Sequence, residues 1–171
     1  MPAHNGPTMK APDSVAKFDG SRAAEYETQS RIALAGYDAC HELSACLLSA
    51  HLGAGARTVL VAGAGGTGQE ILTTARLEPQ WFFVAADPSP PMLDLAMERV
   101  DGAGLSHRVE RFAGKVEALP RARWFDAATL IGVLHHIPDP QDKAALLRSL
   151  ADRLPPHAPL VVACNRCPYE T

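Results

Sequence analysis

Gly63, Gly65 and Gly68 stand in the stretch TVLVAGAGGTGQEIL (58–72), behind an apolar run and ahead of a helix-like pattern. Their spacing is G-x-G-x-x-G, with Gly66 as a further glycine inside it. Glycine carries no Cβ, so such a turn bends tightly and lets a ligand approach the main chain. The helix behind it offers unpaired N–H groups and the positive end of its dipole. Taken alone, the turn equally suits plain packing of a helix on a strand. Asp87 narrows the choice, because it closes the next apolar run 19 residues past Gly68. An open α/β sheet uses a carboxylate there to accept hydrogen bonds from both hydroxyls of a ribose. Asp87-Pro88-Ser89 also suits the cap of a helix beginning near Pro90, and the two roles are compatible. Turn and acid together point to a ligand containing adenosine.

Other reactive side chains are scattered more widely. His135 and His136 follow the fourth apolar run, at the carboxyl edge where such sheets hold their ligands. They suit a base, a group that orients an acceptor, or a surface turn before Ile137-Pro138. Cys40, His41 and His51 fall on a helix that would lid the site or pack against it. Trp81 and Trp124 adjoin strand starts, the opposite end, and read as packing groups. Cys164 and Cys167 form a single C-x-x-C with no second pair at zinc-site spacing. The pair ends a strand instead of starting a helix, which argues against a redox motif. No metal site is expected.

These residues need a scaffold, and the periodicity supplies one. A helix is predicted over 37–52, with Leu43, Leu47, Leu48 and Leu52 near helical spacing. Gly53-Ala54-Gly55 closes it. Strands are predicted over 58–62, 81–86, 108–113, 125–131 and 159–164, and helices over 67–77, 90–100 and 140–154. Strands alternating with helices imply a parallel sheet with right-handed crossovers. Nearly continuous apolar strands such as TVLVA and WFFVAA imply helices on both faces. Residues 1–12 are polar with three prolines and read as a disordered tail. Residues 13–55 form an N-terminal helical cap, with Asp13 or Ser14 as first cap residue, and 56–171 the ligand-binding α/β part of a single structural domain.

Composition limits the classes further. A chain of 171 residues suits one core, and 47% apolar with 20% charged residues suits a globular protein. A net charge of −3 gives no reason to expect nucleic-acid binding. No apolar run approaches the ~20 residues of a membrane helix. The first residues lack the apolar segment of a secretory signal, so a cytoplasmic location with reduced cysteines is expected.

In order along the chain come VLVAGAGGTG, AADPSPPMLDLAMERV, GKVEALP and FDAATLIGVLHHIPD followed by ALLRSLADRLPPHAPLVV. Together they resemble class I S-adenosylmethionine-dependent methyltransferases over 58–164. The segment SRIALAGYDACHEL (30–43) also resembles the branch containing carboxy-S-adenosylmethionine synthase. In that branch a tyrosine of a Pro-Gly-Tyr motif helps hold the cofactor. Ala35 stands in place of the proline here, and the matching tyrosine is Tyr37.

The resemblance implies a Rossmann-like open parallel sheet of strand order 3-2-1-4-5, with helices on both faces and the family's last two strands absent. It implies S-adenosylmethionine as cofactor and S-adenosylhomocysteine as product. Gly63, Ala64 and Gly65 would line the methionine and ribose portion, with Gly68 completing the turn. Asp87 would take the ribose hydroxyls and Pro88 would flank the adenine. Lys115 and Val116 would meet the adenine edge, and Ile131 would lie beneath the sulfonium. Methyl transfer is a displacement at carbon with a good leaving group, so alignment is the main demand. A base is needed only where the acceptor loses a proton, and His135 and His136 are the catalytic candidates.

The chain departs from the pattern in four places. Neither Val61 nor Ala62 is the acid that often meets the cofactor's amino group. Lys115 replaces an aspartate that accepts from the adenine amino group, and lysine has no acceptor. Backbone atoms of Lys115 and Val116 would take over. The turn is one residue longer than G-x-G-x-G. The sheet counts five strands where the family usually has seven, and the arginine that the carboxymethylating branch uses beyond the fifth strand has no counterpart, so that activity is not expected.

The expected function is therefore methyl transfer to a small-molecule or unidentified acceptor. The alternatives are a non-catalytic cofactor-binding or protein-interaction domain and, on the glycine spacing alone, an NAD-dependent oxidoreductase. The apolar PLVVAC leaves a sheet edge that a homodimer or other partner would cover.

Overall fold

A computed structural model describes residues 28–32 and 36–165. The tail at 1–12, the cap candidates Asp13 and Ser14, Ala35 and Cys167 lie outside the described residues.

Five parallel strands form one sheet: β1 (Thr58–Ala62), β2 (Phe82–Asp87), β3 (Val109–Ala113), β4 (Ala127–Ile131) and β5 (Leu160–Ala163). Their order is β3-β2-β1-β4-β5, as the resemblance implied. Ala62 sits opposite Ala86 on one side and opposite Leu130 on the other. The chain runs outward from β1 through β2 to β3, then returns to β4 on the far side. That reversal opens a crevice beyond the carboxyl ends of β1 and β4, where open α/β sheets hold ligands.

Four helices cover the sheet: α1 (Tyr37–Leu52), α2 (Gln69–Leu77), α3 (Pro90–Gly102) and α4 (Pro140–Ala151). Residues 28–32 are also helical. Side chains alternate across a strand. Val59 and Val61 therefore join Leu48 of α1, Ile71 of α2 and Leu93 of α3 in one core layer. Leu60 and Ala62 join Leu130, Phe125 and Leu150 of α4 in the other. Each large apolar side chain buried this way contributes about 1.5–3 kcal/mol, which fixes strand register and hence the crevice.

α2 starts at Gln69, two residues later than predicted, because Gly68 adopts a left-handed conformation (φ +57°). α4 is shorter than predicted and ends at Ala151. It starts as its sequence suggests, with Pro140 in the first turn and the Asp139 carboxylate accepting from the Gln141 amide at 2.7 Å.

Two packing expectations need correction. The buried residues of α1 are His41, Ser44, Ala45 and Leu48, whereas Leu43 and Leu47 are 60% and 53% exposed. The leucine spacing straddles two faces, and the helix turns its small and polar residues toward α2. Trp81 is fully buried as expected, but Trp124 is 58% exposed and is no packing group. β5 pairs only with β4, so its outer edge is unpaired among the described residues, and Val162 is exposed there. Among the described residues no helix is long and apolar enough to cross a membrane, and no cluster of metal-ligating side chains occurs.

Candidate cofactor site

The glycine turn stays tied to β2 as it leaves β1. The Gly63 and Ala64 amides both donate to the Ala86 carbonyl, at 2.8 and 3.2 Å. Gly63 has φ +76°, and a Cβ on it would lie 2.3 Å from Val133 Cγ2. A Cβ on Gly65 would lie 2.6 Å from Asp87 Oδ2 and 2.7 Å from Met92 Cβ. Side chains at either position would collide with the wall of the crevice.

Asp87 ends β2 and organises this wall. Its Oδ2 accepts from the Gly65 amide at 3.0 Å and its Oδ1 from the Ser89 amide at 2.8 Å. Burial pushes its carboxyl above the usual range, and the Ser89 and Gly65 amides partly offset that. Each carboxylate oxygen has about two lone-pair sites, so each keeps one for an incoming diol.

A cavity of about 330 Å³ opens at this point. Gly63, Gly65, Asp87, Pro88, Lys115, Val116, Ile131 and His136 all border it. The volume lies at the lower end of the roughly 300–1,000 Å³ of ligand pockets. Ala64 is buried and Gly68 packs toward the Ala96 backbone, so neither borders the cavity. Tyr37 and His135 also stand outside its lining. The His135 and His136 rings are 4.0 Å apart, and burial, with Lys143 nearby, lowers the His135 pKa.

Sequence reasoning missed Met92, Glu117, Val133, Asp142 and Leu146, which also line the cavity. Asp142 and Leu146 are four residues apart in the first turns of α4, a spacing that a helix-face reading directly after the HHIPDP loop could have found. The approach of Val133 to Gly63 has no sequence signal.

The carboxyl half of the turn is closed. Thr67 is 3% exposed, and its hydroxyl lies 2.6 Å from the Tyr37 hydroxyl. Its Oγ1 also accepts from the Gln69 amide at 3.3 Å. Glu70 is buried in the first turn of α2. Burial raises its pKa to about 7. His41 of α1 faces it, with Nδ1 4.0 Å from Glu70 Oε2, and burial lowers the His41 pKa to about 4. No residue of α1 borders the cavity, and the helix packs behind the turn through Tyr37 and His41.

The sheet order, the bare turn and the acid at the end of β2 agree with the family that the sequence matches. Residues 59–157, more than half of the chain, match the methyltransferase domain family, and the chain belongs to that family. No match is found among curated protein sequences. Among solved structures it is similar to a candidate S-adenosyl-L-methionine-dependent methyltransferase from Methanococcus maripaludis, at 19% identity and TM-score 0.65 over 87% of this chain and 63% of that one. A methyltransferase from Geobacter sulfurreducens, solved with S-adenosyl-L-homocysteine, is 22% identical at TM-score 0.55, over 69% of this chain and 46% of that one. The cyclase SpnF is 25% identical at TM-score 0.59, over 71% of this chain and 44% of that one. The chain thus spans between 44% and 63% of the lengths of these three proteins.

Proposed function

We propose that the crevice binds S-adenosylmethionine and that the chain acts as a methyltransferase on a small-molecule acceptor, releasing S-adenosylhomocysteine. The observation that carries this reading is the Asp87 carboxylate, held by two amides at the cavity wall beside main chain that tolerates no side chain. The ribose diol bonds Asp87. The methionine portion follows Gly63 and Gly65, with Ile131 below the sulfonium. The base lies between Pro88 and Val116, and its edge meets Lys115. His136 borders the cavity and is the nearer candidate for base or orienting group, whereas His135 stands behind it. The enzyme is cytoplasmic, and a partner strand or second copy covers the β5 edge.

The oxidoreductase reading loses its anion site. A dinucleotide needs the helix N-terminus for its pyrophosphate. Here the Thr67 hydroxyl already takes the first amide of α2, that of Gln69, and the buried Glu70 carboxyl stands in the same turn. Cofactor binding without transfer keeps one supporting observation: the buried Val61 and Ala62 offer no acid to the cofactor's amino group. A member of the same fold class that is a cyclase adds a reason to measure turnover directly.

Calorimetry tests the assignment. S-adenosylmethionine and S-adenosylhomocysteine should bind and NAD should not. Asp87→Ala should weaken binding roughly a hundredfold, as expected for the loss of two hydrogen bonds to a charged group. Unchanged affinity in that variant sinks the ribose assignment. Release of S-adenosylhomocysteine in an acceptor screen separates transfer from binding alone.

A further inference from the structure

Seven residues, 62–68, carry the chain from β1 toward α2, and six of them are glycine or alanine. Thr67 is the one with a polar side chain. Fixing a residue's backbone costs about 1–2 kcal/mol, and glycine loses the most freedom. A turn of this composition therefore needs an anchor from outside itself. The amide of Gly66 has one in the Met92 carbonyl at 2.7 Å, on the α3 side. On the α1 side the anchor is Tyr37, whose hydroxyl meets Thr67 Oγ1 at 2.6 Å.

Tyr37 is well held for such a task. It is the first residue of α1, behind a left-handed Gly36. The His41 ring packs edge-on against it, with centroids 4.5 Å apart. The Arg31 guanidinium lies over the ring at 5.4 Å. Thr67 passes the restraint in both directions, since its amide donates to the Gly65 carbonyl at 3.2 Å and its hydroxyl accepts from Gln69.

We propose that Tyr37 is a positioning residue for the glycine turn, acting through the Thr67 hydroxyl to set the main chain of Gly63–Gly65 against the cofactor. The inference rests on the cofactor reading above. It differs from a direct contact, in which the tyrosine itself would touch the ligand.

A double-mutant cycle with S-adenosylhomocysteine as probe tests it. Tyr37→Phe and Thr67→Val each remove one hydroxyl at nearly constant volume. Each should weaken binding roughly fivefold, and the double variant should bind no more weakly than the weaker single one. Thr67→Ser keeps the hydroxyl and should keep wild-type affinity. In the free protein, amide hydrogen exchange at Gly65 and Gly66 should accelerate in both hydroxyl-less variants. Multiplying losses in the double variant would make Tyr37 a direct contact and overturn the proposal. A lowered melting temperature with unchanged affinity and unchanged exchange would also overturn it, as a purely structural bond. Should the wild type fail to bind the probe, the cofactor reading falls, and the exchange measurement alone then decides whether Tyr37 fixes the turn.

Discussion

The two halves of the glycine turn use the same residue type for opposite ends. At Gly63 and Gly65 the missing side chains leave room beside Asp87 and Val133, and the main chain faces a cavity. At Gly68 the missing side chain lets α2 settle against α3, with Ala96 O 3.3 Å from where a Cβ would be. Between them Thr67 turns inward under α1 and takes the Gln69 amide on its hydroxyl, and Glu70 is buried just beyond Gly68. The first amide of the helix is taken by the protein's own Thr67 hydroxyl. Glycine spacing alone therefore does not tell the two halves apart. The difference lies in Thr67, inside the motif, whose hydroxyl takes the Gln69 amide and meets Tyr37, 30 residues upstream.

The sharpest way to break this contrast is to fill each half in turn. Gly65→Ala puts a methyl 2.6 Å from Asp87 Oδ2 and 2.7 Å from Met92 Cβ, so the carboxylate must move. Affinity for S-adenosylhomocysteine should fall more than about a hundredfold, with a stability loss of about 1–3 kcal/mol for the overpacking. Gly68→Ala meets only ordinary to tight contacts but keeps φ +57°, which costs roughly 1–2 kcal/mol in stability. Its ligand affinity should stay within about threefold of wild type. Calorimetry and thermal melts on both variants check the pair. Equal losses of affinity would mean that the closed half also touches the ligand.

The closed half can be probed by pH. Glu70 holds its proton to about pH 7 when folded, against an ordinary value of 4.5. Folded protein thus binds more protons than unfolded between those values, and this group's contribution to stability falls as pH rises through that window. His41 works the other way. Its pKa drops from 6.5 to about 4, so its contribution rises with pH between those values. Asp38 and Arg31 act on the imidazole with opposite signs, while Asp87 and desolvation act on Glu70 in the same direction. The two slopes oppose each other over most of pH 4.5–6.5. Glu70→Gln removes only the falling one. Its unfolding free energy relative to wild type should therefore rise from pH 5 to pH 7, by no more than about 3 kcal/mol. Urea titrations at several pH values measure it, and a difference that does not change with pH would mean that Glu70 is not a buried acid.

Much of this arrangement is legible in the sequence. Strand and helix alternation, Asp87 after β2 and the glycines after β1 are local patterns, each readable within a few residues. Residues such as Lys115 and Ile131 came from the family resemblance and do border the cavity. What escaped is what depends on the third dimension. Val133 reaches Gly63 only because β4 lies beside β1. His41 and Glu70 face each other across two helices, and nothing in either segment announces the other. The face of α1 was misread for a related reason. Four leucines outweighed His41 and Ser44 in a hydrophobic pattern, yet the partner surface on α2 accommodates small and polar groups.

That misreading leads to the smallest expected effect. If the closed half is sealed by the inner face of α1, its outer face is dispensable to the turn. Leu47 is 53% exposed on that outer face, next in sequence to the fully buried Leu48. Leu47→Ser should change unfolding free energy by less than about 0.5 kcal/mol, as surface substitutions do, and should leave S-adenosylhomocysteine affinity unchanged. Leu48→Ala, one residue along, should cost about 2–5 kcal/mol through the cavity it leaves. The two substitutions differ by a 100° rotation about one helix axis, so composition and propensity are nearly matched between them. A loss above about 1 kcal/mol in Leu47→Ser would show that the outer face is buried in solution. The seal over Thr67 would then depend on contacts beyond α1 and α2.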